Sequence, residues 1–443
     1  MGMKPPAVNE ICGEWIGSAL MLRGVWATRA EVARKKPRKS AKTVSTNWVN
    51  FMVAKLGSVS SLLMKRIQMV DLEGQTKRIR PEIDAAIARV LDSSRFIGGD
   101  EVSSFSDELG GMLDGAFVIP CANGTDALQI ALMAIGVGPG DEVIVPAFTF
   151  ISPVEVIVLL GAKPVLVDVY SDTFNIDCEA VESAITVRTK AIIPVHLFGQ
   201  CADMGKLLKI AKEHKIHLIE DTAQAFTSVY CDGNGLSGKA GTLGTCGTTS
   251  FFPSKNLGCF GDGGAIITHS LDLAADLGVI CKHGSDFKYK HIDVGVNSRL
   301  DSIQAAILRV KLKHLKDYNQ RRNVAANIYD ELLEGAVGIT TPFRDPRSSH
   351  VFHQYTIQID PFYTSNKNIQ DVLKKADIPT AIYYPIPIHL QDGYNFLDYR
   401  VGDFPVSEKL SKTVLSLPMH TELSREEQEY IAHHLKEAIK KWI

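Results

Sequence analysis

Apolar and polar positions change rhythm twice along this chain. Over 84–115 the pattern is helical, with Ile83, Ala86, Ile87, Val90 and Leu91 at the i, i+3, i+4, i+7 spacing of one face. Short β-rich runs then alternate with helical segments, at Glu142–Pro146, 163–168, 191–196, His217–Asp221, 248–252 and Gly264–Thr268. Strands separated by helices predict an α/β fold. Its mostly parallel sheet is covered on both faces, and ligands gather at the carboxyl ends of the strands. A long polar helix is expected over Ser302–Leu333. A small α+β part follows from about Thr340, with a strand at 353–359 and a helix at 368–376. The pattern thus divides the chain into 1–63, a large part at 64–335 and a small part at 336–443.

Composition narrows the classes of function. Of 443 residues, 45% are hydrophobic and 22% charged, enough for one large core and a smaller one. A formal net charge of -2 gives no reason to expect nucleic acid or an anionic membrane as partner. Apolar runs at 156–160 and 165–169 are broken by Gly161, Lys163 and Pro164, too short to cross a bilayer. The eight cysteines (Cys12, Cys121, Cys178, Cys201, Cys231, Cys246, Cys259, Cys281) form no C-x-x-C pair. Free thiols in a reducing, cytoplasmic compartment are expected, and no zinc site. His283, His389 and His420 show no metal-ligand spacing either, so no metal is expected.

Residues 1–63 lack strand-helix alternation and carry a basic cluster, Arg34-Lys35-Lys36-Pro37-Arg38-Lys39. No uninterrupted apolar core of a secretory signal follows a basic start, and Glu10, Glu14 and Glu31 count against an organellar transit peptide. The expectation is a disordered extension or a start codon placed too early, with Met64 opening the functional chain.

Candidate chemistry begins with SFFPSKNLGCFGDGGA at 250–265. Lys255 ends an apolar strand and precedes four glycines in seven residues, where its amine is poorly solvated and the backbone can approach a ligand. Such a lysine can be nucleophilic, as Schiff-base chemistry requires, although most lysines near strand ends are simply solvated. Upstream by 34 residues, the strand His217–Asp221 delivers Asp221 at its carboxyl end. A pyridoxal cofactor needs a carboxylate beside its ring nitrogen; the plainer reading is an Asp capping the next helix. CANGTDAL at 121–128 is a small-residue turn opening a helix, whose free N–H groups and dipole suit a phosphate. Gly258, Gly261, Gly263 and Gly264 are read as shaping the chain, since no nucleotide fingerprint surrounds them. His196 is read as a hydrogen-bonded core histidine.

With CANGTDAL, PAFTF, PVHLFGQ, EDTAQAF, SFFPSKNLGCFGDGGA, GVNSRLDSIQAAIL and YYPIP, the chain resembles the DegT/DnrJ/EryC1/StrS sugar aminotransferase family from Ile67 onward. Within it, the sequence looks most like enzymes that aminate UDP-2-acetamido-2-deoxy-3-oxo-glucuronate for bacterial surface polysaccharides. The resemblance implies the type I fold of pyridoxal 5'-phosphate enzymes, with a seven-stranded-type sheet. It implies glutamate as amino donor with 2-oxoglutarate released, a UDP-linked keto-sugar as acceptor, and a homodimer with shared active sites. Lys255 would bond the cofactor and move the proton at the amino-bearing carbon, Asp221 would pair with the ring nitrogen, and Gln224 would meet the ring hydroxyl. Gly124, Thr125 and Ser250 would hold the phosphate, Phe150 would stack on the ring, and Asn297 would serve the neighbouring subunit's phosphate site. Arg299 would meet a diphosphate or a uronate carboxylate, or else cap a helix in a salt bridge. Tyr384 matches a substrate-contacting position, and Tyr383 stands where similar enzymes have histidine. Relatives that deoxygenate sugars carry histidine in place of Lys255. Two alternatives stay open: amination of a dTDP- or UDP-linked 4-keto or 3-keto-6-deoxy sugar, and a non-catalytic regulatory protein on the same fold.

Overall fold

Strand β2 (Glu142–Pro146) shows why a parallel sheet forms here. All five of its residues are buried, with Val143 and Val145 in one apolar cluster and Ile144 in another. Both faces of the strand are covered, as a central parallel strand requires. The structure, a computed structural model, describes residues 66–443. The expectations for 1–63 and for a start at Met64 lie outside the described residues.

A seven-stranded sheet has the order β1-β9-β8-β5-β4-β2-β3, formed by β1 (Phe117–Cys121), β2, β3 (Lys163–Val167), β4 (Thr189–Ile192), β5 (His217–Asp221), β8 (Cys246–Ser250) and β9 (Gly264–Thr268). Neighbours from β8 through β3 are parallel, while β9 runs antiparallel to both β8 and β1, so six strands point one way and β9 alone is reversed. Two short hairpins, β6 (Val229–Cys231) with β7 (Ser237–Lys239) and β10 (Ser285–Phe287) with β11 (Lys290–His291), stand outside the sheet.

The helix Ser302–Leu333 matches its expected bounds and spans about 48 Å. Its Leu308, Leu312 and Leu315 join Phe105 and Leu109 in one cluster, and Ile307 and Val310 join Ile79, Ile83 and Val90 in another. A three-stranded antiparallel sheet, β12 (Ile339–Thr340), β13 (Tyr355–Ile359) and β14 (Val414–Leu417), carries the helices Asn366–Lys374 and Arg425–Lys440, the latter opened by a Ser424/Glu427 capping box. Residues Ile67–Ile443 cohere as one unit. Among the described residues, no helix is long and apolar enough to cross a membrane.

Two expectations are corrected. The helix expected over 84–115 is two helices, Leu72–Ser93 and Asp100–Met112. Ser94, Gly98 and Gly99 turn left-handed between them, and Ile97 bridges to Asp301. Apolar spacing runs on across the break, so periodicity alone joins the two helices. The strand expected at 191–196 is β4, Thr189–Ile192; beyond it only Val195 bridges to Asp221. Sequence periodicity also missed β1, whose Pro120 lacks a ladder donor and is tolerated because β1 is an edge strand.

Candidate active site

Strand register gathers the site. Gly264, the first residue of β9, lies opposite Cys121 at the end of β1 and Ser250 at the end of β8. On the other side of β8, Thr248 pairs with Asp221, the last residue of β5. The turn after β1, the end of β8 and Asp221 therefore share the carboxyl edge of the sheet, where parallel sheets hold ligands.

At the first of these, Asn123 caps the helix Gly124–Ala134 by accepting the Asp126 N–H at 2.8 Å. The N–H groups of Gly124 and Thr125 have no carbonyl to reach within the helix and point toward its positive end. A Cβ on Gly124 would come within 2.7 Å of the Ser250 Cβ, and one on Gly264 within 2.4 Å of the Asn123 carbonyl. Glycine at both positions lets the turn, β8 and β9 close on one another and places the Ser250 hydroxyl beside the helix start. The Thr125 hydroxyl pairs with that of Ser152 at 2.7 Å, and Ser298 bonds both the Ala122 N–H and Asp126.

Lys255 lies in the loop after β8, where its N–H donates to the Phe252 carbonyl at 2.8 Å. Gly258 permits this fold-back, since a Cβ there would meet the Pro253 carbonyl oxygen at 2.4 Å. These glycines shape the chain, as the sequence reading had it. Burial pulls the Lys255 pKa down to about 8, against the opposing pull of the Asp221 carboxylate. Asp221 is buried, and burial raises its own pKa against a hydrogen bond from the Ala223 N–H at 3.0 Å and the charge of Lys255. A carboxylate held in this way, beside an amine partly stripped of its proton, is poised for a cationic partner and for proton transfer.

Gln224 and Tyr384 complete this group. The Gln224 Nε2 donates to the Tyr384 hydroxyl at 3.0 Å, while its Oε1 accepts the Phe198 N–H at 3.0 Å. Burial raises the Tyr384 pKa, and the charge of Asp221 adds to the effect. Phe150, 53% exposed, sets its ring 6.2 Å from that of Tyr384. Tyr383, half-buried, is hydrogen-bonded to Gln354. Lys255, Asp221, Gln224, Tyr384 and Phe150 thus form one group, and Gly124, Thr125 and Ser250 lie together at the same carboxyl edge of the sheet.

Asn297 and Arg299 do not join it. Both are exposed, and the Arg299 guanidinium forks onto the Asn297 Oδ1 at 3.1 and 2.6 Å. Among the described residues, Arg299 makes no helix-capping salt bridge.

His196 is the hydrogen-bonded core histidine expected. Its Nε2 meets Glu220 at 3.0 Å and its Nδ1 accepts the Ala202 N–H at 3.0 Å, which fits the neutral ring protonated on Nε2. Sequence reasoning missed Glu220, whose carboxylate also accepts the N–H groups of Gly241, Leu243 and Gly244 at 2.9, 2.8 and 2.7 Å. This anchors the residue next to Asp221; the available signal was an acid inside an apolar strand. His353 was also missed. It is buried, its Nδ1 has no hydrogen-bond partner, and burial together with Lys255 and Arg322 holds its pKa well below the usual range. Cys121, Cys178, Cys201, Cys246, Cys259 and Cys281 are free thiols, and among the described residues no cluster suits a metal ion.

Comparison with known proteins identifies the family and the fold. A model of the DegT/DnrJ/EryC1/StrS aminotransferase family matches residues 77–436. The pleiotropic regulatory protein of Geobacillus stearothermophilus is 47% identical over 84% of this chain and 98% of its own length. The UDP-2-acetamido-2-deoxy-3-oxo-D-glucuronate aminotransferase of Pseudomonas aeruginosa is 47% identical over 80% of this chain and 95% of its own length. The crystal structure of NtdA from Bacillus subtilis, with bound cofactor PMP, superposes with a TM-score of 0.76 at 30% identity, covering 85% of this chain and 86% of that one.

Proposed function

This chain belongs to the DegT/DnrJ/EryC1/StrS aminotransferase family, and we propose that it moves an amino group from glutamate to a UDP-linked keto-sugar with pyridoxal phosphate. The observation that carries this reading is the pairing of half-buried Lys255 with buried Asp221, each shifting the other's pKa, at the carboxyl edge of the sheet. The residues present fit the cofactor. Asp221, buried with a raised pKa, suits a ring nitrogen that bears a proton. The Gly124 and Thr125 N–H groups and the Ser250 hydroxyl suit the phosphate. Gln224 would face the ring hydroxyl, Phe150 would cover the ring, and Tyr384 would hold Gln224 in place.

When bound, pyridoxal phosphate supplies an electron sink for charge developing at the amino-bearing carbon. Around it, the Lys255 Nζ would carry the proton at the amino-bearing carbon, and the Asp221 carboxylate would sit beside the ring nitrogen. Gln224 orients by hydrogen bond, and Phe150 with Tyr384 limits water at the open side. Burial serves this proton transfer, because an amine of pKa about 8 exchanges its proton near neutral pH more readily than one at the ordinary 10.5.

The pH dependence of covalent capture checks the assignment of Lys255. Only the neutral amine reacts. The rate at which cofactor-free protein acquires the visible band of added pyridoxal phosphate should therefore rise about tenfold per pH unit below about 8 and level off above it. A rate still climbing at pH 10 points to a solvated lysine.

For the acceptor, UDP-2-acetamido-2-deoxy-3-oxo-glucuronate is favoured by the Pseudomonas relative and by Arg299, whose fork suits a carboxylate or a diphosphate. Arg299 and Asn297 stand exposed and bond each other, so they would act from a neighbouring copy, in a homodimer that shares its active sites. Residues 64–335 would then hold the cofactor, while 336–443 contribute Tyr383 and Tyr384 on the sugar side. A panel of UDP- and dTDP-linked 3-keto and 4-keto sugars, generated in place and incubated with glutamate, tests this choice. Amination of the UDP-3-oxo-uronate at least about tenfold faster than the others is expected. Preference for a dTDP-4-keto sugar would move the assignment to that acceptor.

The Geobacillus relative is named for regulation. A regulatory role without turnover has no use for a lysine whose pKa is drawn down beside a buried carboxylate, and glutamate-dependent amine transfer separates the two readings.

A further inference from the structure

The loop that carries Lys255 is fastened along one stripe of the helix Ser302–Leu333. Gln304 accepts the Phe260 N–H at 2.8 Å and returns a bond to the Phe260 carbonyl at 3.4 Å. Lys311 donates to the Gly258 carbonyl at 2.5 Å, and Asn319 accepts from the Asn256 Nδ2 at 2.7 Å. Loop positions 256, 258 and 260 thus meet helix positions 319, 311 and 304. Between them Leu257 and Cys259 are buried with Leu308, Leu312 and Leu315. The spacing 304, 308, 311, 315, 319 is that of one helical face, so the helix offers alternating polar and apolar grips to successive loop residues.

Lys311 is the unusual member. It is 2% exposed, it lies 5.4 Å from the centre of the Phe260 ring, and its hydrogen bond goes to a carbonyl. Burial pulls its pKa down to about 8. An apolar side chain of similar length would fill that space without the cost of burying an amine. Beside the loop lies a cavity of about 500 Å³, bordered by Leu72, Arg80, Pro253, Cys259, Phe260 and Lys311. Phe260 and Pro253 of the loop border this open cavity, while Leu257 and Cys259 pack against the helix.

We propose that Lys311 is a positioning residue for Lys255. Through the Gly258 carbonyl, with Gln304 on one side and Asn319 on the other, it clamps the loop so that the catalytic amine is held at one place beside Asp221. The proposal rests on the reading of Lys255 as the cofactor-bonding lysine.

Lys311→Met removes the donor and keeps the length, and Gln304→Leu removes the neighbouring grip. In the holoenzyme, each should lower kcat about 10- to 100-fold while KM for glutamate stays within about threefold. The Lys311→Met protein should melt no lower than the original, because a buried cation has been replaced by an apolar group. Amide exchange at 256–260 should accelerate in both the loaded and the cofactor-free protein. A kcat that falls only in step with the folded fraction, or unchanged exchange at 256–260 in both variants, overturns the clamp. The exchange result does not need the cofactor. Faster exchange at 256–260 in the two variants, with an original protein that never acquires pyridoxal phosphate, would keep the clamp and reject the reading of Lys255.

Discussion

Lys255→Ala should abolish turnover, with kcat/KM falling by about 10⁴-fold or more. Two contributions are lost together: the covalent hold on the cofactor and the amine that moves the proton at the reacting carbon. Alanine removes a buried amine whose pKa burial has already drawn down to about 8, so the fold gives up an unfavourable group and the variant should melt no lower than the original. Rate assays with glutamate and the keto-sugar, alongside thermal melting, separate loss of chemistry from loss of structure. Retention of more than a few per cent of the activity in a folded Lys255→Ala protein would remove Lys255 from its role.

Asp221→Asn should be the next largest effect, lowering kcat about 10²- to 10³-fold. The amide keeps the shape of the carboxylate and can still accept the Ala223 N–H, but it brings no charge to a ring-nitrogen proton. Loss of one preorganised electrostatic contact in a water-excluded site costs about 2.7–4 kcal/mol of barrier, and about 1.4 kcal/mol corresponds to tenfold in rate. A second readout follows from the same charge. Asp221 raises the Lys255 pKa, so in Asp221→Asn the pH at which cofactor capture levels off should move below about 8. The cofactor-free variant should be no less stable, because burial already disfavours the Asp221 charge.

Much of the scaffold was legible because its signals are local. The buried runs Glu142–Pro146, His217–Asp221 and Gly264–Thr268 and the helix Ser302–Leu333 declare themselves by length, apolar content and bounding residues. What escaped depended on partners distant in sequence. Pro120 is tolerated in β1 because, among the described residues, that strand lies at the sheet edge. The break at 94–99 is set by left-handed residues and by the bridge from Ile97 to Asp301.

The site divides in the same way. Gly124, Asp221 and Lys255 sit at the ends of strands or in the turns beyond them, where chain order and spacing already point to a ligand edge. The bond from Gln224 to Tyr384 joins residues 160 apart, and the Lys311 grip on Gly258 joins residues 53 apart. Neither leaves a local pattern. Arg299 and Asn297 were legible as motif residues; within one chain they bond each other at the surface.

One measurement tests the central claim most directly. Protein loaded with pyridoxal phosphate is given glutamate alone, and the 2-oxoglutarate released is counted per Lys255. The account predicts one equivalent and then a halt, with release resuming only when the UDP-linked keto-sugar is added and each further equivalent matched by one aminated sugar. No release from fully loaded protein, or continuous release without any sugar acceptor, would contradict it.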